Sequence, residues 1–383
     1  MSPTRRFPLG RDFGGTMKIH RDLLLGGCSA PSTAVHHGAD SLASHLLFDI
    51  PGGMDGQILI RGHDGTTSAW QWITPPNDTL QEAFCTRAKP LMDLLNAMPS
   101  ADIDINVEYP HVIIKSGRST YKLPAQDGRN FPAFDPTQKV GVAISSSELR
   151  SAMAACGSAL TGSGAVIDFN QCEAFIQREN EPLRLAGASK GGGSLYEFSS
   201  FGTEDRGVLL HKRTIAKLTG ALPADCEVVC SLLDSTAVFT WGAAGFIAPL
   251  VDLNLPDYLK VLGPSGPDDN RITMNRDEFI SALKRISSVV VSDSESPTCA
   301  KLEIANDSLL ISSVEGDAAQ AQEIINIEGA GKLNSQYDLS LLSGALRYTA
   351  GEFLHCHLPS NGAIKIVGSS SPQLIYTQVY MRS

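Results

Sequence analysis

Two passages of this chain leave a strand through proline in the same way, a fixed distance apart, and that recurrence limits the folds open to it. The stretch 113–136, IIKSGRSTYKLPAQDGRNFPAFDP, follows directly on Val112. Val112, Ile113 and Ile114 are β-branched, Gly117 supplies a turn, and a second strand is expected at 119–123. The chain then runs through the polar residues 125–130 and re-anchors at Phe131-Pro132-Ala133-Phe134. Pro132 and Pro136 cannot sit inside a central strand, so the segment leaves one sheet and starts again elsewhere. The pattern recurs where FIAPLV (246–251) ends a strand and LPDY (255–258) re-anchors the chain; Pro132 and Pro256 are 256 − 132 = 124 residues apart. A third strand of this kind, 374–381, ends the sequence. In 383 residues, this predicts three copies of a unit of roughly 120 residues, a typical domain size.

Each unit predicts the same order of elements. A first amphipathic helix is expected at 18–25, 146–160 and 275–290. In the third, Phe279, Leu283 and Ile286 share a face, and Asn275 with Glu278 reads as the N-terminal cap. Strand pairs follow at 46–50 with 57–61, 165–169 with 174–177, and 301–304 with 308–312, each joined by a Gly, Asn or Asp turn. Second helices are expected at 87–98, 212–222 and 338–347, with apolar anchors Leu94, Leu218 and Leu342 spaced by 124 (218 − 94, 342 − 218). Two strands then close the unit, as at 103–107 with 111–115. The division is a flexible basic tail over 1–16, with Met17 an alternative start, and similar domains over 17–136, 137–262 and 263–383. Two helices and many antiparallel strands per unit make the class α+β. Exposed sheet edges on such units favour closure by pairing with another copy.

Composition narrows the function. Hydrophobic residues make up 42% and charged residues 19%, an ordinary soluble balance. No run of eighteen apolar residues marks a membrane span, and Arg5, Arg6, Arg11 and Asp12 interrupt any secretory apolar region. The eight cysteines form no CxxC pair and read as reduced thiols of a cytoplasmic protein. A net charge of −10 argues against a nucleic-acid partner unless the cations are segregated. They are: the expected helices carry Arg21, Arg87, Lys89, Arg150, Lys212, Arg213, Lys217, Lys284, Arg285 and Arg347. Helix 212–222 holds three cations and no acid. Acids cluster instead in turns and strands, at Asp102, Asp104, Glu108, Asp252, Asp257, Asp268 and Asp269. Spaced cations without a base-reading motif give sequence-blind, salt-sensitive contact with duplex DNA; solvated helix faces are the plainer alternative.

The segments SGRSTYKLPAQDGRNFPAFDP (116–136), LVDLNLPDYLKVL (250–262) and YTQVYMRS (376–383) resemble the bacterial DNA polymerase III beta subunit, the sliding clamp. The likeness runs from Met17 to Ser383 in order, with the N-terminal third more diverged. It implies the DNA clamp fold, with three similar domains per subunit and two subunits closing head to tail into a ring whose helices line a DNA-sized hole. It also implies a non-catalytic processivity subunit of a DNA polymerase holoenzyme, with no cofactor and a cytoplasmic, nucleoid-associated location. The implied partners are double-stranded DNA held without sequence specificity, DNA polymerase, the clamp loader ATPase complex and a second copy. DNA contact falls to Arg21, Arg87, Lys89, Arg150, Lys212, Arg213, Lys217, Lys284 and Arg285. A pocket for partner peptides falls to Pro256, Lys260, Val261, Ala363, Val379, Met381 and Arg382, joined by Leu195 and a member of 167–169. The dimer edge falls to Tyr121 and Leu123, facing Val289 and Val290. The chain departs from the family at 190–195 (KGGGSL), where a Gly-His-Arg-Leu-like run is usual, and at its last residues, VYMRS in place of Met-Pro-Met-Arg-Leu. A clamp-derived interaction scaffold that does not encircle DNA is the competing expectation.

Other candidate chemistry is set aside. The glycine-rich GASKGGGS (187–194) lacks the GxxxxGK[ST] order of a phosphate cradle and reads as a flexible loop. His355 and His357 share a strand face with no evident third ligand. His36-His37 has no carboxylate pattern near it, and Cys226 and Cys230 read as buried. No nucleophile–base or paired-carboxylate set can be assembled, so no active site is expected.

Overall fold

The computed structural model describes residues 16–36, 41–50, 56–78, 80, 82–132, 140–161, 167–263, 270–290, 298–314, 320–359 and 363–379. The order of elements repeats three times. The first repeat holds β1 (Thr16–His20), α1 (Arg21–Thr33), β2 (His45–Asp49), β3 (Ile58–His63), β4 (Ser68–Ile73), the short β5 (Asn77–Asp78) and β6 (Phe84–Arg87). It ends with α2 (Ala88–Ala97), β7 (Asp102–Glu108), β8 (His111–Ser116) and β9 (Ser119–Asp127). The second holds β10 (Val142–Ser145), α3 (Ser146–Gly157), β11 (Cys172–Gln177), β12 (Pro182–Ser189), β13 (Gly192–Phe201) and β14 (Arg206–His211). It continues with α4 (Lys212–Ala221), β15 (Glu227–Leu232), β16 (Thr236–Trp241), β17 (Ala244–Pro249) and a linker helix, α5 (Tyr258–Leu262). The third holds β18 (Asn270–Asn275), α6 (Arg276–Val289), β19 (Cys299–Ala305), β20 (Ser308–Ser313), β21 (Gln322–Asn326), the short β22 (Glu328–Ala330) and β23 (Asn334–Asp338). It closes with α7 (Leu339–Leu346), β24 (Phe353–Leu358), β25 (Ile364–Gly368) and β26 (Ser371–Gln378).

The six described helices other than α5 start directly from a strand, and at four of those junctions a side chain caps the helix, whereas Arg87 before α2 and Ser145 before α3 make no side-chain cap. In the first-helix set, His20 Nδ1 accepts from Asp22 N–H at 3.3 Å and Asn275 Oδ1 from Glu278 N–H at 3.0 Å. In the second set, His211 Nδ1 accepts from Arg213 N–H at 3.1 Å and Asp338 Oδ1 from Ser340 N–H at 2.8 Å. Satisfying these first amides fixes where each helix begins. The caps also fix the register of the repeats. One residue before each second-helix cap, the fourth strand pairs Thr86 with Leu46, Leu210 with Glu173, and Tyr337 with Ala300. Those three rows are equivalent.

By contacts the chain forms two compact units. One comprises the described residues up to Gly141 together with Ala216–Pro249; the other comprises Val142–Ile215 and the described residues from Leu250 on. The first unit contains an antiparallel sheet in the order β15-β16-β17-β4-β3-β2-β6-β9-β8-β7-β1-β5. Its core sets Leu24 and Cys28 of α1 and Leu91 and Leu95 of α2 against Leu46, Phe48, Ile58 and Ile60. The second contains β14-β11-β12-β13-β26-β25-β24-β18-β22 and a separate sheet β21-β20-β19-β23. Here Phe279, Leu283 and Ile286 of α6 pack with Leu342 and Leu346 of α7 on Leu302 and Ile311. Each such side chain contributes about 1.5–3 kcal/mol by leaving water.

Several expectations shift. The first helix begins at Arg21, not residue 18; Met17 and Ile19 are buried while Lys18 and His20 face out, the period of a strand. Residues 167–169 are not a strand, because Asn170 and Asp168 bond to each other across a 3-10 turn, Phe169–Gln171. The strand after Gly117 runs on to Asp127 because β9 changes partner, from β8 to β6. The second-helix anchors need one correction. Leu94 and Leu218 are each the seventh residue of their helix, but Leu342 is the fourth of its own. Leu91, Ile215 and Leu342 hold the same buried position, because the third repeat carries three extra residues before its second helix. Of the tail expected over 1–16, Thr16 belongs to β1, and 1–15 lie outside the described residues.

Candidate nucleic-acid and partner surfaces

The helical cations are less free than their spacing suggests. Lys217 of α4 forms an ion pair with Asp64, in the β3–β4 turn. Asp64 Oδ1 also accepts from the Thr66 and Thr67 amides at 2.9 and 2.7 Å. Burial alone would raise the Asp64 pKa, but Lys217 and these amides together bring it below the usual value. Arg285 of α6 grips Glu323 of β21 through two bonds of 2.7 and 2.9 Å. That pairing lowers the Glu323 pKa and raises that of Arg285. Lys89 reaches Asp93 one turn on at 2.8 Å, and Arg21 lies against Asp22 at 3.1 Å with its own side chain largely covered. Arg87 is exposed, and Arg150 and Lys212 are half-buried. Arg213 and Lys284 are exposed, and no carboxylate pairs with either among the described residues. The His211 imidazole below Arg213 has its pKa lowered by burial and by Arg213 and Lys212, which keeps it a neutral cap. The remaining exposed positions of α3 and α7 are small and neutral, at Ser147, Ser151, Ala154 and Ser340.

A second surface lies where β13 pairs with β26. The linker after β17 first runs beside β14, with Val251 N–H donating to Leu209 O at 2.9 Å. Asp257 then caps α5, which sets Tyr258 and Leu262 on Ala174, Ala186, Leu195 and Leu209. Gly187, Gly192 and Gly193 of the expected flexible loop belong to the paired strands β12 and β13, and Gly191 forms the turn between them. A Cβ on Gly187 would sit 2.2 Å from Cys156 O, and one on Gly193 would sit 2.9 Å from Leu262 Cδ1. Glycine is the residue that allows such approach. Of the expected pocket residues, Val261 (56% exposed) and Val379 (37% exposed) present apolar surface. Lys260 is exposed and Pro256 half-buried beside them in sequence. Leu195 and Ala363 are buried, so they support this surface rather than line it. Phe169 and Ile167 are exposed outside any strand. Met381 and Arg382 lie outside the described residues.

The third feature is a pair of sheet edges. Among the described residues, 119–124 of β9 pair with β8 on one side only, and β21 pairs with β20 on one side only. Tyr121 and Leu123 pack partly on the core of the first repeat. Ile324 on β21 is 61% exposed. Val289 is the exposed last residue of α6, which packs against β21, and Val290 leans on the core of the third repeat. Sequence spacing alone does not identify β21 as an edge.

Among the described residues no catalytic constellation assembles. His355 Nδ1 meets Thr273 Oγ1 at 3.1 Å, and no metal-type cluster occurs among the described residues. None of the eight cysteines forms a disulfide, and Cys226 is half-buried rather than buried. Burial pushes the Cys230 and Cys356 thiols up to about 12. Glu173 is the one buried acid among the described residues; burial holds its pKa well above the usual value. No described helix is long and apolar enough to cross a membrane.

No family model matches the chain. The Beta sliding clamp of Helicobacter pylori is 21% identical over 302 residues, spanning 76% of this chain and 75% of that one. The Beta sliding clamp of Pseudomonas aeruginosa is 24% identical, spanning 68% and 70%. In structure, the sliding clamp (DNA polymerase III subunit beta) of Pseudomonas aeruginosa bound to griselimycin superimposes with a TM-score of 0.85 at 21% identity, covering 97% of this chain and 100% of that one. The fold is the DNA clamp fold.

Proposed function

We infer that the chain is a divergent DNA sliding clamp, a processivity factor that tethers its polymerase to duplex DNA without reading bases. One observation carries the reading beyond fold likeness. The third strand after each first helix pairs with the last strand of the next repeat, as β4 with β17 and β13 with β26. That rule is satisfied twice within the chain and leaves β21 and the first part of β9 as its two unused halves. A second copy satisfies both at once, head to tail, which closes a two-fold ring. Three repeat domains, 17–136, 137–262 and 263–383, are the units of that ring.

DNA contact then rests on phosphate attraction by Arg213 and Lys284, to which Lys212, Arg87 and Arg150 add, with Lys217, Arg285, Lys89 and Arg21 partly neutralised. The partner surface at α5 takes a short peptide by an apolar anchor against Val261 and Val379, with Met381 and Arg382 completing it and Lys260 adding a charge-assisted contact. Polymerase and a clamp loader ATPase complex are its occupants, in the cytoplasm, and the chain itself catalyses nothing. Neutralisation of Lys217 and Arg285 favours the second reading, a clamp-derived scaffold that does not encircle DNA. The test is loading onto nicked circular duplex by the cognate loader. A clamp stays bound in high salt and is lost when the circle is cut; a scaffold shows no such difference between circle and linear DNA.

A further inference from the structure

We propose that two copies of this chain join β21 to β9 in one register, with Ala321 of one copy opposite Tyr121 of the other. The proposal rests on the ring reading and deepens it from the presence of an interface to its atomic alignment.

The two internal junctions supply the rule. On the third-strand side, the row running from the capped pair is Leu46–Gly62–Ala69 in the first repeat and Glu173–Gly187–Ser194 in the second. In the third it is Ala300–Ser313, continued by Ser313 N–H donating to Ala321 O at 3.0 Å. Ala69, Ser194 and Ala321 are therefore equivalent. On the last-strand side, Met17 and Ile272 each lie three residues before a first-helix cap. From them run the rows Met17–Ile105–Ile114–Tyr121 and Ile272–Cys356–Ile366–Tyr376. In the second repeat, Val251 bonds Leu209 where Gln126 pairs with Cys85, each partner two residues before its cap. Counting back five residues from Val251 and from Gln126 reaches Phe246 and Tyr121. Phe246, Tyr376 and Tyr121 are the second equivalent set.

Both internal junctions place a large ring opposite a small residue: Phe246 against Ala69, and Tyr376 against Ser194. All four are buried. Tyr121 and Ala321 are the unmatched ring and the unmatched small residue, both half-buried and each packed on its own core. The same alignment sets Gln322 opposite Thr120 and Glu323 opposite Ser119. Nothing bulky opposes Tyr121 in this register, whereas a slip of one residue turns Tyr121 to the other face.

Cysteine pairs in the full chain read the register directly. Thr120→Cys with Gln322→Cys should yield a covalent dimer on mild oxidation, which the parent chain does not. Moving the first cysteine to Lys122 or Arg118 displaces it by about 7 Å along the strand, beyond disulfide reach, and should abolish the cross-link. A dimer that cross-links at 118–322 or 122–322, or at none of the three, overturns the register but leaves the ring reading standing. A chain that is monomeric by light scattering at every concentration overturns both. Ala321→Phe should weaken dimerisation by at least about tenfold while leaving the chain folded, and Tyr121→Ala in the same chain should restore it. Failure of that rescue, with both variants folded, counts against the ring-over-small pairing.

Discussion

Glu173 offers the sharpest test of how the repeats are stacked. Its position in the row is filled by Leu46 in the first repeat and Ala300 in the third, and its own side chain is 1% exposed. Oε2 has no hydrogen-bond partner among the described residues. Burial raises its pKa well above 4.5, so folding takes up a proton there once the pH exceeds that value. The unfolded chain then binds fewer protons than the folded one, and stability falls as pH rises. The slope is about 1.4 kcal/mol per pH unit for one proton, between the unfolded pKa and the raised folded one. Glu173→Gln removes the titration and keeps the shape. Above pH 4.5 the variant should therefore gain on the parent chain, by about 1.4 kcal/mol for each pH unit that stays below the raised folded pKa, and the gain should shrink below pH 4.5. Urea midpoints of both proteins across pH 4 to 8 measure this, as a difference that grows with pH. Parallel pH profiles would show that Glu173 is charged in the folded chain and would refute the argument.

Three further outcomes are expected. Leu123→Asp with Val290→Asp should give a folded monomer by light scattering; a persistent dimer would move the interface elsewhere. Arg213→Ala with Lys284→Ala should weaken duplex binding equally on all sequences and flatten the log–log salt slope by up to about two, whereas Lys217→Ala should hardly change it, since Asp64 already holds that charge. Deleting Met381–Ser383 should preserve melting temperature and dimerisation but abolish pull-down of polymerase and loader, and normal stimulation of polymerase by the truncated chain would place the partner site elsewhere.

The sequence exposes what is local. Gly117, whose φ is +57°, the prolines at each exit and the Asn275 cap are legible because one residue type carries the backbone requirement. Helix starts beside a strand are less so. Lys18 looks helical until the burial of Met17 and Ile19 shows a two-residue period, and equal spacing brought Leu342 into line with the wrong turn of α4. Charge was the poorest guide to the candidate site. Lys217 and Asp64 are 153 residues apart, and Arg285 and Glu323 are 38 apart, so no window along the chain reveals that these cations are already engaged. The edges fall between these cases. Strand β9 is recognisable from its alternation, but its openness follows only from knowing which strands the other repeats pair. Repetition makes that step possible, because two completed junctions define what a third must contain. Alignment of the rows shows where a residue conforms, as Tyr121 does with Phe246 and Tyr376, and where one does not, as Glu173 among apolar equivalents. A departure at a core position has a cost in every folded copy. Its retention in this chain is therefore a property to measure at the level of stability, separately from any loss of clamp function.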